Sequence, residues 1–394
     1  LKRIVFISYF FEPDLSAGSF RNSSLVKVLA PLAAEQNCLV EVYTSTPNRY
    51  SSYQAEEALE YERKGSLIIN RISTPQIGRG KFRVVMAFLA FFLKVLWMDR
   101  GKKAELVYAT SSKLLSAYMG YIMAVRKKAP LYLDIRDLFA LNMDEIIKSG
   151  SFKAILMPLL NHMERKAFGY ATHINLISGG FRPLFRSYGQ ATVTEFTNGI
   201  DNMFLTEAGS GVAPLIKDNF KTILYAGNIG EGQGLHKIIP QAAQKLGAGY
   251  RFLIYGDGGM RSLLEDGIAS LGVQNVDIRK PVPRKELIAA YQAADFLFIH
   301  LNNYKAFEKV LPSKIFELSA FPKPMIAGVG GFPGQFIRSE IPHSFVFDPC
   351  DADAMVAGIL AFPVDEPIDR TAFVRKYTRD RINQAMAASI LQYL

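Results

Sequence analysis

Cysteine is almost missing from this chain. Cys38 and Cys350 are the only two in 394 residues, too few for a disulfide framework, and their scarcity points to a reducing compartment. No apolar stretch reaches the length of a comfortable membrane crossing, and the opening run Leu1–Ser8 is too short for a signal peptide, so it reads as a first buried strand. Low-complexity tracts are missing too, since 49% apolar and 21% charged residues make a globular composition. No helix-turn-helix, zinc ligand set or aromatic RNA-binding motif accompanies the basic residues, which sets nucleic acid aside as a partner. No cluster has strong metal-ligand spacing. Asp351-Ala352-Asp353 sits where a late helix should begin and reads as its cap.

What the chain does have is alternation. Continuous apolar runs at Ile4–Ser8, Leu39–Thr44, Leu67–Ile72, Leu106–Thr110, Leu131–Ile135, His173–Ser178 and Val193–Thr197 are separated mostly by helical segments. The second half repeats the theme with Thr222–Ala226, Arg251–Tyr255, Val276–Arg279, Phe296–His300, Met325–Ala327 and Ser344–Phe347. Such runs suit strands buried on both faces of a parallel sheet. The chain is too long for one ordinary core. The expectation is an α/β chain of two doubly wound Rossmann-like domains facing a central cleft. Residues 1–201 and 220–394 form the domains, 202–219 the linker, and the last helix packs back on the first domain. Ligands of such sheets lie beyond the carboxyl ends of the strands.

The net charge of +10 is uneven. Residues 1–200 carry 26 Lys and Arg against 16 Asp and Glu, and the rest of the chain is balanced. Between Arg79 and Lys103 there are seven basic residues and one acid. Inside that span Phe82–Met98 is nearly all apolar, broken only by Arg83 and Lys94, and as a helix it is about 26 Å long. It suits a core helix of the first domain. It equally suits a helix lying on an anionic membrane, and the flanking Arg79, Lys81, Lys102 and Lys103 favour the membrane. The expected location is therefore peripheral, at the inner face of the cytoplasmic membrane.

The densest chemistry is in Glu308-Lys309-Val310-Leu311-Pro312-Ser313-Lys314-Ile315-Phe316-Glu317. A helix starting near Ser313 aims free N–H groups, a hydroxyl and the Lys314 ammonium at one small volume, as phosphate sites do. Glu317, one turn on, faces the same volume and suits the paired hydroxyls of a sugar. Phosphate beside sugar points to a nucleotide sugar, although a capped helix with an incidental Lys and Glu would read the same. Gly227-Asn228-Ile229-Gly230-Glu231-Gly232-Gln233-Gly234 is a glycine-rich strand-to-helix loop, a phosphate cradle without the G-x-G-x-x-G spacing of a dinucleotide site. Arg279 ends a later strand, where backbone can line a base pocket. In the first half, Gly18 lets backbone approach a ligand and Arg21 can steady an anion. Asp134-Ile135-Arg136-Asp137 ends a strand, and its carboxylates can orient acceptor hydroxyls or take a proton. The alternative is that Asp137 caps the next helix and pairs with Arg136.

Taken in order, Gly227–Gly230, Gly256-Asp257-Gly258, Val282–Leu287, Ala293-Ala294-Asp295 and Pro312–Glu317 resemble the donor domain of retaining, GT-B-fold glycosyltransferases of family four. The Gly18 loop, the Asp134–Asp137 segment and Asn198-Gly199-Ile200-Asp201 extend the resemblance over nearly the whole chain, closest to the branch that builds bacterial surface polysaccharides such as lipopolysaccharide. The resemblance implies that Glu317 binds the nucleotide ribose, with Ser313 and Lys314 near the diphosphate of a UDP- or other NDP-sugar. It further implies that the Gly230–Gly234 loop faces the same phosphates, that Asp134 or Asp137 lies near the reacting sugar, that no metal is used, and that the acceptor is a lipid-linked saccharide. Two departures stand out. Eight residues separate Glu308 from Glu317 where the family commonly has seven, which puts Lys309 in the register position. Asn228 and Gln233 also replace the usual Arg and Lys, which leaves more of the charge balance to Lys314. A nucleotide-sugar epimerase and a non-catalytic nucleotide-sugar-binding protein of membrane assembly are the competing readings.

Overall fold

The computed structural model describes residues 1–14, 17–46, 59–74, 81–111, 114–138, 140, 143, 150–208, 220–363 and 367–394. The chain divides into two compact units, Leu1–Thr197 with Asp380–Leu394, and Asn198–Arg379.

In the first unit, strands β1 (Lys2–Ile7), β2 (Cys38–Ser45), β3 (Tyr61–Lys64), β4 (Leu67–Ile72), β5 (Leu106–Thr110), β6 (Leu131–Ile135), β7 (His173–Leu176) and β8 (Thr192–Thr194) form one sheet. Their order is β3-β4-β2-β1-β5-β6-β7-β8, parallel except for the β3–β4 hairpin. β5 and β6 are buried at every residue because helices cover both faces of the sheet. On one face, Leu25, Val26 and Leu29 of helix α1 (Ala17–Glu35) share a core with Met386, Ala387 and Ile390 of the returning C-terminal segment. Tyr132 Oη to Ser389 Oγ (2.9 Å), His173 Nδ1 to Tyr393 Oη (3.0 Å) and Asn383 Nδ2 to Ser24 Oγ (3.1 Å) pin that segment in place.

Helix α2 (Lys81–Met98) has two apolar faces. Ala87, Phe88, Phe91 and Val95 are buried, with Phe88 and Phe91 set against the Tyr9 ring at 5.4 and 5.2 Å. Met86, Leu89, Leu93 and Trp97 form the opposite stripe and are exposed, Trp97 to 77%. One face is therefore core, as a helix of the first domain should be, and the other is an apolar stripe exposed to solvent. Its C-terminal end is bolted down by a buried ionic knot. Arg3 Nη1 donates to Glu41 Oε2 (2.5 Å) and Asp99 Oδ1 (2.7 Å), Lys102 Nζ donates to Glu41 Oε1 (2.8 Å), and Lys127 pairs with Asp99. Lys102 thus belongs to the scaffold and not to a free basic surface. Lys94 is exposed and donates to the Ser73 carbonyl. Arg79 and the side chains of Lys81 and Arg83 lie outside the described residues. No helix among the described residues is long and apolar enough to cross a membrane. Helices α3 (Leu114–Lys127) and α4 (Ser151–Tyr170) follow β5 and β6.

The second unit begins earlier than the sequence suggests. Asn202–Ala208, expected as linker, is helix α5, and Asn198–Asp201 also belongs to this unit. Entry and exit of the chain are fastened side by side. Ile200 bridges to Thr378, and Asp201 Oδ2 accepts from Arg379 Nη1 (2.8 Å) and Arg284 Nη1 (3.2 Å). A Cβ at Gly199 would sit 2.5 Å from Arg379 Cα, so no other residue fits there. The remaining expected linker residues, 209–219, lie outside the described ones.

Six parallel strands make the second sheet, in the order β11-β10-β9-β12-β13-β14: β9 (Lys221–Ala226), β10 (Tyr250–Tyr255), β11 (Val276–Arg279), β12 (Phe296–His300), β13 (Met325–Gly328) and β14 (Ser344–Phe347). Alternate residues feed two cores. Leu224, Leu297 and Ile299 face one, and Ile223, Phe296 and Phe298 the other, as the two-residue period of a strand requires. Helices α6 (Ile239–Leu246), α7 (Arg261–Ser270), α8 (Arg284–Ala293), α9 (Ser313–Leu318) and α10 (Gly331–Glu340) connect the strands, and α11 (Ala352–Ala361) follows β14. Asp351 caps α11 by accepting from Ala354 N (2.9 Å), as its triplet suggests. The strand order reverses between β9 and β12, so the crevice at their carboxyl ends is where this topology places ligands.

Candidate functional site

At that reversal the glycine-rich loop after β9 meets the segment after β12. Asn302, buried at the end of β12, holds them together. Its N–H donates to Gly232 O (2.9 Å), its Nδ2 to Glu231 O (2.8 Å), and its Oδ1 accepts from Lys237 Nζ (3.0 Å). Gly234 has φ +59, with space for a Cβ closed by Asn302 Cγ at 3.1 Å. His300 ties a third loop in: its Nδ1–H donates to Gln233 O (2.5 Å) and its Nε2 accepts from Cys350 N (2.9 Å). Burial lowers this imidazole to about 4, against the raising effect of the Gln233 carbonyl, so the ring is neutral at ordinary pH. Inside the loop, Asn228 Nδ2 donates to Gln233 Oε1 (2.9 Å), and the two amides close over Gly230. The Tyr304 hydroxyl, donating at 2.6 Å, holds the Glu231 carboxyl below its ordinary range.

Beside this clamp lies a cavity of about 290 Å³, lined by Asn302, Asn303, Tyr304, Glu308, Gly330 and Asp348 among others. A larger cavity, about 540 Å³, opens at the amino ends of the strands near Tyr250, Arg251 and Asn275. It has none of the convergent loops, and the smaller one stands where parallel sheets hold ligands.

Helix α9 follows directly. Its N-cap is Pro312, and Ser313 is its first residue without a side-chain cap. Glu317 Oε1 accepts from both Tyr291 Oη (2.7 Å) and Lys314 Nζ (2.9 Å). Oε2 has no hydrogen-bond partner among the described residues, so the carboxylate is held through one oxygen only. Burial and the Glu317 charge raise the Tyr291 phenol well above its ordinary value, keeping it a donor. Lys314 is therefore an orienting partner of Glu317 in this geometry, not a free cation.

Other residues singled out in the sequence lie apart from this cavity. Arg279 is exposed, paired with Asp277 (2.7 Å) and set over the Tyr255 ring, and does not line the 290 Å³ cavity. Lys309 does not line it either, whereas Glu308 does. Gly18, Arg21, Asp134, Arg136 and Asp137 all belong to the first unit. Gly18 is the second residue of α1 and buried. Asp134 is fully buried and takes Arg21 Nε and Nη2 at 3.1 Å each and Asn175 Nδ2 at 2.7 Å. Burial alone would raise this carboxyl; the charges of Arg21 and Arg136 and these bonds hold it below the usual range. Arg21 spends its remaining capacity on the Thr197 and Phe196 carbonyls (2.7 Å each). Neither residue can reach a substrate, which corrects their assignment to chemistry and to an acceptor. Asp137 is exposed yet crowded enough that desolvation raises its carboxyl, with Arg136 opposing. Arg136 keeps Nε and Nη1 without hydrogen-bond partners among the described residues. Asn302, His300 and Tyr291 were not foreseen. His300 ends strand β12 and Asn302 lies two residues past it, at the reversal of strand order, which is the signal that would have found them.

A profile of the family described as Glycosyl transferases group 1 matches residues 212–381. WcaI of Escherichia coli (strain K12), named as a colanic acid biosynthesis glycosyl transferase, is 29% identical over 146 residues. That match covers 36% of this chain and 36% of WcaI, so the chain is matched over about a third of that relative's length. Among solved structures, sucrose-phosphate synthase from Thermosynechococcus elongatus superposes with a TM-score of 0.71 at 14% identity, covering 99% of this chain and 95% of that one. Anabaena Alr3699/HepE, solved with UDP and glucose, gives a TM-score of 0.65 at 16% identity, covering 99% of both. These likenesses show the fold. The chain has the two-domain GT-B fold, and its residues 212–381 are a Glycosyl transferases group 1 domain.

Proposed function

We propose that this chain is a retaining glycosyltransferase that moves a sugar from a nucleoside-diphosphate sugar, UDP-linked or otherwise, to a lipid-linked saccharide in bacterial surface-polysaccharide synthesis. The observation that carries it is the convergence at the β9–β12 reversal of a clamped glycine-rich loop and a sugar-sized polar cavity, with a half-held carboxylate on the helix that follows. Transfer breaks the bond between the anomeric carbon and a phosphate oxygen, and negative charge grows on the leaving diphosphate. Loop N–H groups aimed at that charge stabilise it without having to reorganise, so the reaction needs no metal ion. Glu317 takes the ribose hydroxyls on Oε2. Asp137, exposed just past the end of β6, stands at the acceptor. The relationship to a colanic acid protein supports surface polysaccharide as the product class.

Incubation with a panel of nucleotide sugars and an undecaprenyl-diphosphate-linked sugar should give a glycolipid with the donor's anomeric configuration, and EDTA should not slow it. Donor turnover to an isomer with no transfer would indicate an epimerase, and binding without turnover a non-catalytic protein.

The exposed stripe of α2 completes the proposal: the protein docks peripherally on an anionic membrane, the inner face of the cytoplasmic membrane. Met86, Leu89, Leu93 and Trp97 face outward beside the exposed Arg100 and Lys103. Each aliphatic or aromatic side chain that leaves water contributes about 1.5–3 kcal/mol, and each cation near such a surface about 1 kcal/mol. Leu93→Asn with Trp97→Gln should cut flotation with phosphatidylglycerol vesicles at least about tenfold while sparing donor hydrolysis. Wild-type protein that stays at the bottom of the gradient at low salt would refute docking.

A further inference from the structure

We propose that the cavity beside the loop clamp takes the transferred sugar and admits an uncharged one, rejecting nucleotide-linked uronic acids. This rests on the donor-site reading above and narrows it to a substrate class.

The charged side chains lining the cavity are Glu308 and Asp348, both acids. Asn303 and Tyr304 add neutral polar groups to the same wall. Two nearby cations are engaged elsewhere. Lys237 is held by Asn302 Oδ1 (3.0 Å) next to Glu231, and Lys314 by Glu317 (2.9 Å). Sugar hydroxyls are donors, and a carboxylate is an acceptor with several lone-pair positions, so a neutral pyranose meets its complement here. A sugar carrying its own carboxylate meets two like charges with no cation among the described lining residues, and rejection by like charge is a common way to set specificity.

The backbone holds Glu308 where this selection needs it. Gly331 has φ +55, and a Cβ there would meet Glu308 O at 2.3 Å and Glu308 Cβ at 2.6 Å. The start of α10 is thus packed directly on the Glu308 backbone, and any larger residue would push the acid out of the wall. The volume fits as well. About 290 Å³ lies at the lower edge of small-ligand sites, roughly 300–1,000 Å³, which leaves room for a single sugar ring.

Calorimetry with UDP, GDP, ADP and dTDP identifies the base, and the neutral and uronate donors of that base are then compared, UDP-glucose with UDP-glucuronate or GDP-mannose with GDP-mannuronate. The uronate should bind at least about tenfold more weakly than its neutral partner. Glu308→Gln with Asp348→Asn should bring the two within roughly threefold of each other, because the amides keep the shape and remove the charge. Equal affinities in the wild type would overturn the proposal, and so would a gap that survives in the double variant. If no nucleotide binds, the donor-site reading fails and this inference with it. A nucleotide that binds while its neutral and uronate sugars bind alike leaves the donor site standing and removes only the selection.

Discussion

Asp134→Ala should be among the most damaging single substitutions in the first unit. It leaves the Arg21 guanidinium buried beside two carbonyls and without its carboxylate, and removing one member of a buried pair costs about 3–5 kcal/mol. In a unit of this size that is on the order of 10 °C in Tm. Scanning calorimetry of the whole protein is the direct measurement. A Tm within about 2 °C of wild type would show that the pair is not buried in solution. Asp134→Leu with Arg21→Met should recover much of the loss, because a matched apolar pair need not pay the desolvation of either charge. The pH dependence has a definite sign. The Asp134 carboxyl lies lower in the folded protein than in the unfolded chain, so its contribution is complete above the unfolded value, about 4, and disappears as pH falls through the folded value. The Leu/Met double variant should therefore lose less stability than wild type between about pH 4 and the acid transition.

That substitution also marks how far residue patterns reach. The Asp134–Asp137 segment was placed correctly at a strand end, where catalytic groups gather. Its meaning depends on Arg21, 113 residues earlier in the chain, and only folding shows that the two seal each other away from solvent. Strands buried on both faces were legible because they are runs of apolar residues. β3 was not, because Tyr61–Lys64 is a polar, mostly exposed edge strand that turns at Gly65. α5 hid inside a stretch read as linker from the glycines and proline that follow it. In the second unit, the order of glycine loop, β12 and α9 could be read from punctuation alone. The bonds that make a site of them come from side chains that carry no motif: Asn302 clamping the loop, His300 bridging to Cys350, Tyr291 steering Glu317. Helix α2 is the clearest case of a question that composition poses and cannot answer. An all-apolar helix reads as core or membrane, and here one face is buried in the core while the other is left exposed.

The pairing of Lys314 with Glu317 changes what their removal should do. If Glu317 takes the ribose as proposed, Glu317→Ala deletes that acceptor, and losing a hydrogen bond to a charged group costs about 1.5–3 kcal/mol, or roughly ten- to a hundredfold in donor Kd. A cation poised only for the leaving diphosphate would act chiefly on kcat when removed. Lys314 donates instead to Glu317 Oε1 at 2.9 Å, alongside Tyr291 at 2.7 Å, with the carboxylate 18% exposed. Lys314→Met should therefore free the carboxylate to rotate and raise the donor Kd in the wild-type background. In the Glu317→Ala background it should do little, because the group it orients is gone. The double-mutant cycle measured by nucleotide-sugar titration should show a coupling on the order of 1 kcal/mol. Additive losses would mean that the two side chains act separately. Full retention of donor affinity in folded Glu317→Ala would remove the ribose assignment itself. Tyr291→Phe is the control, since it withdraws the second donor to Oε1 and leaves the lysine charge in place. Its effect on Kd should follow the direction of Lys314→Met, with kcat at saturating donor little changed, as expected for a residue that positions the acceptor of the ribose and does not touch the reacting bond.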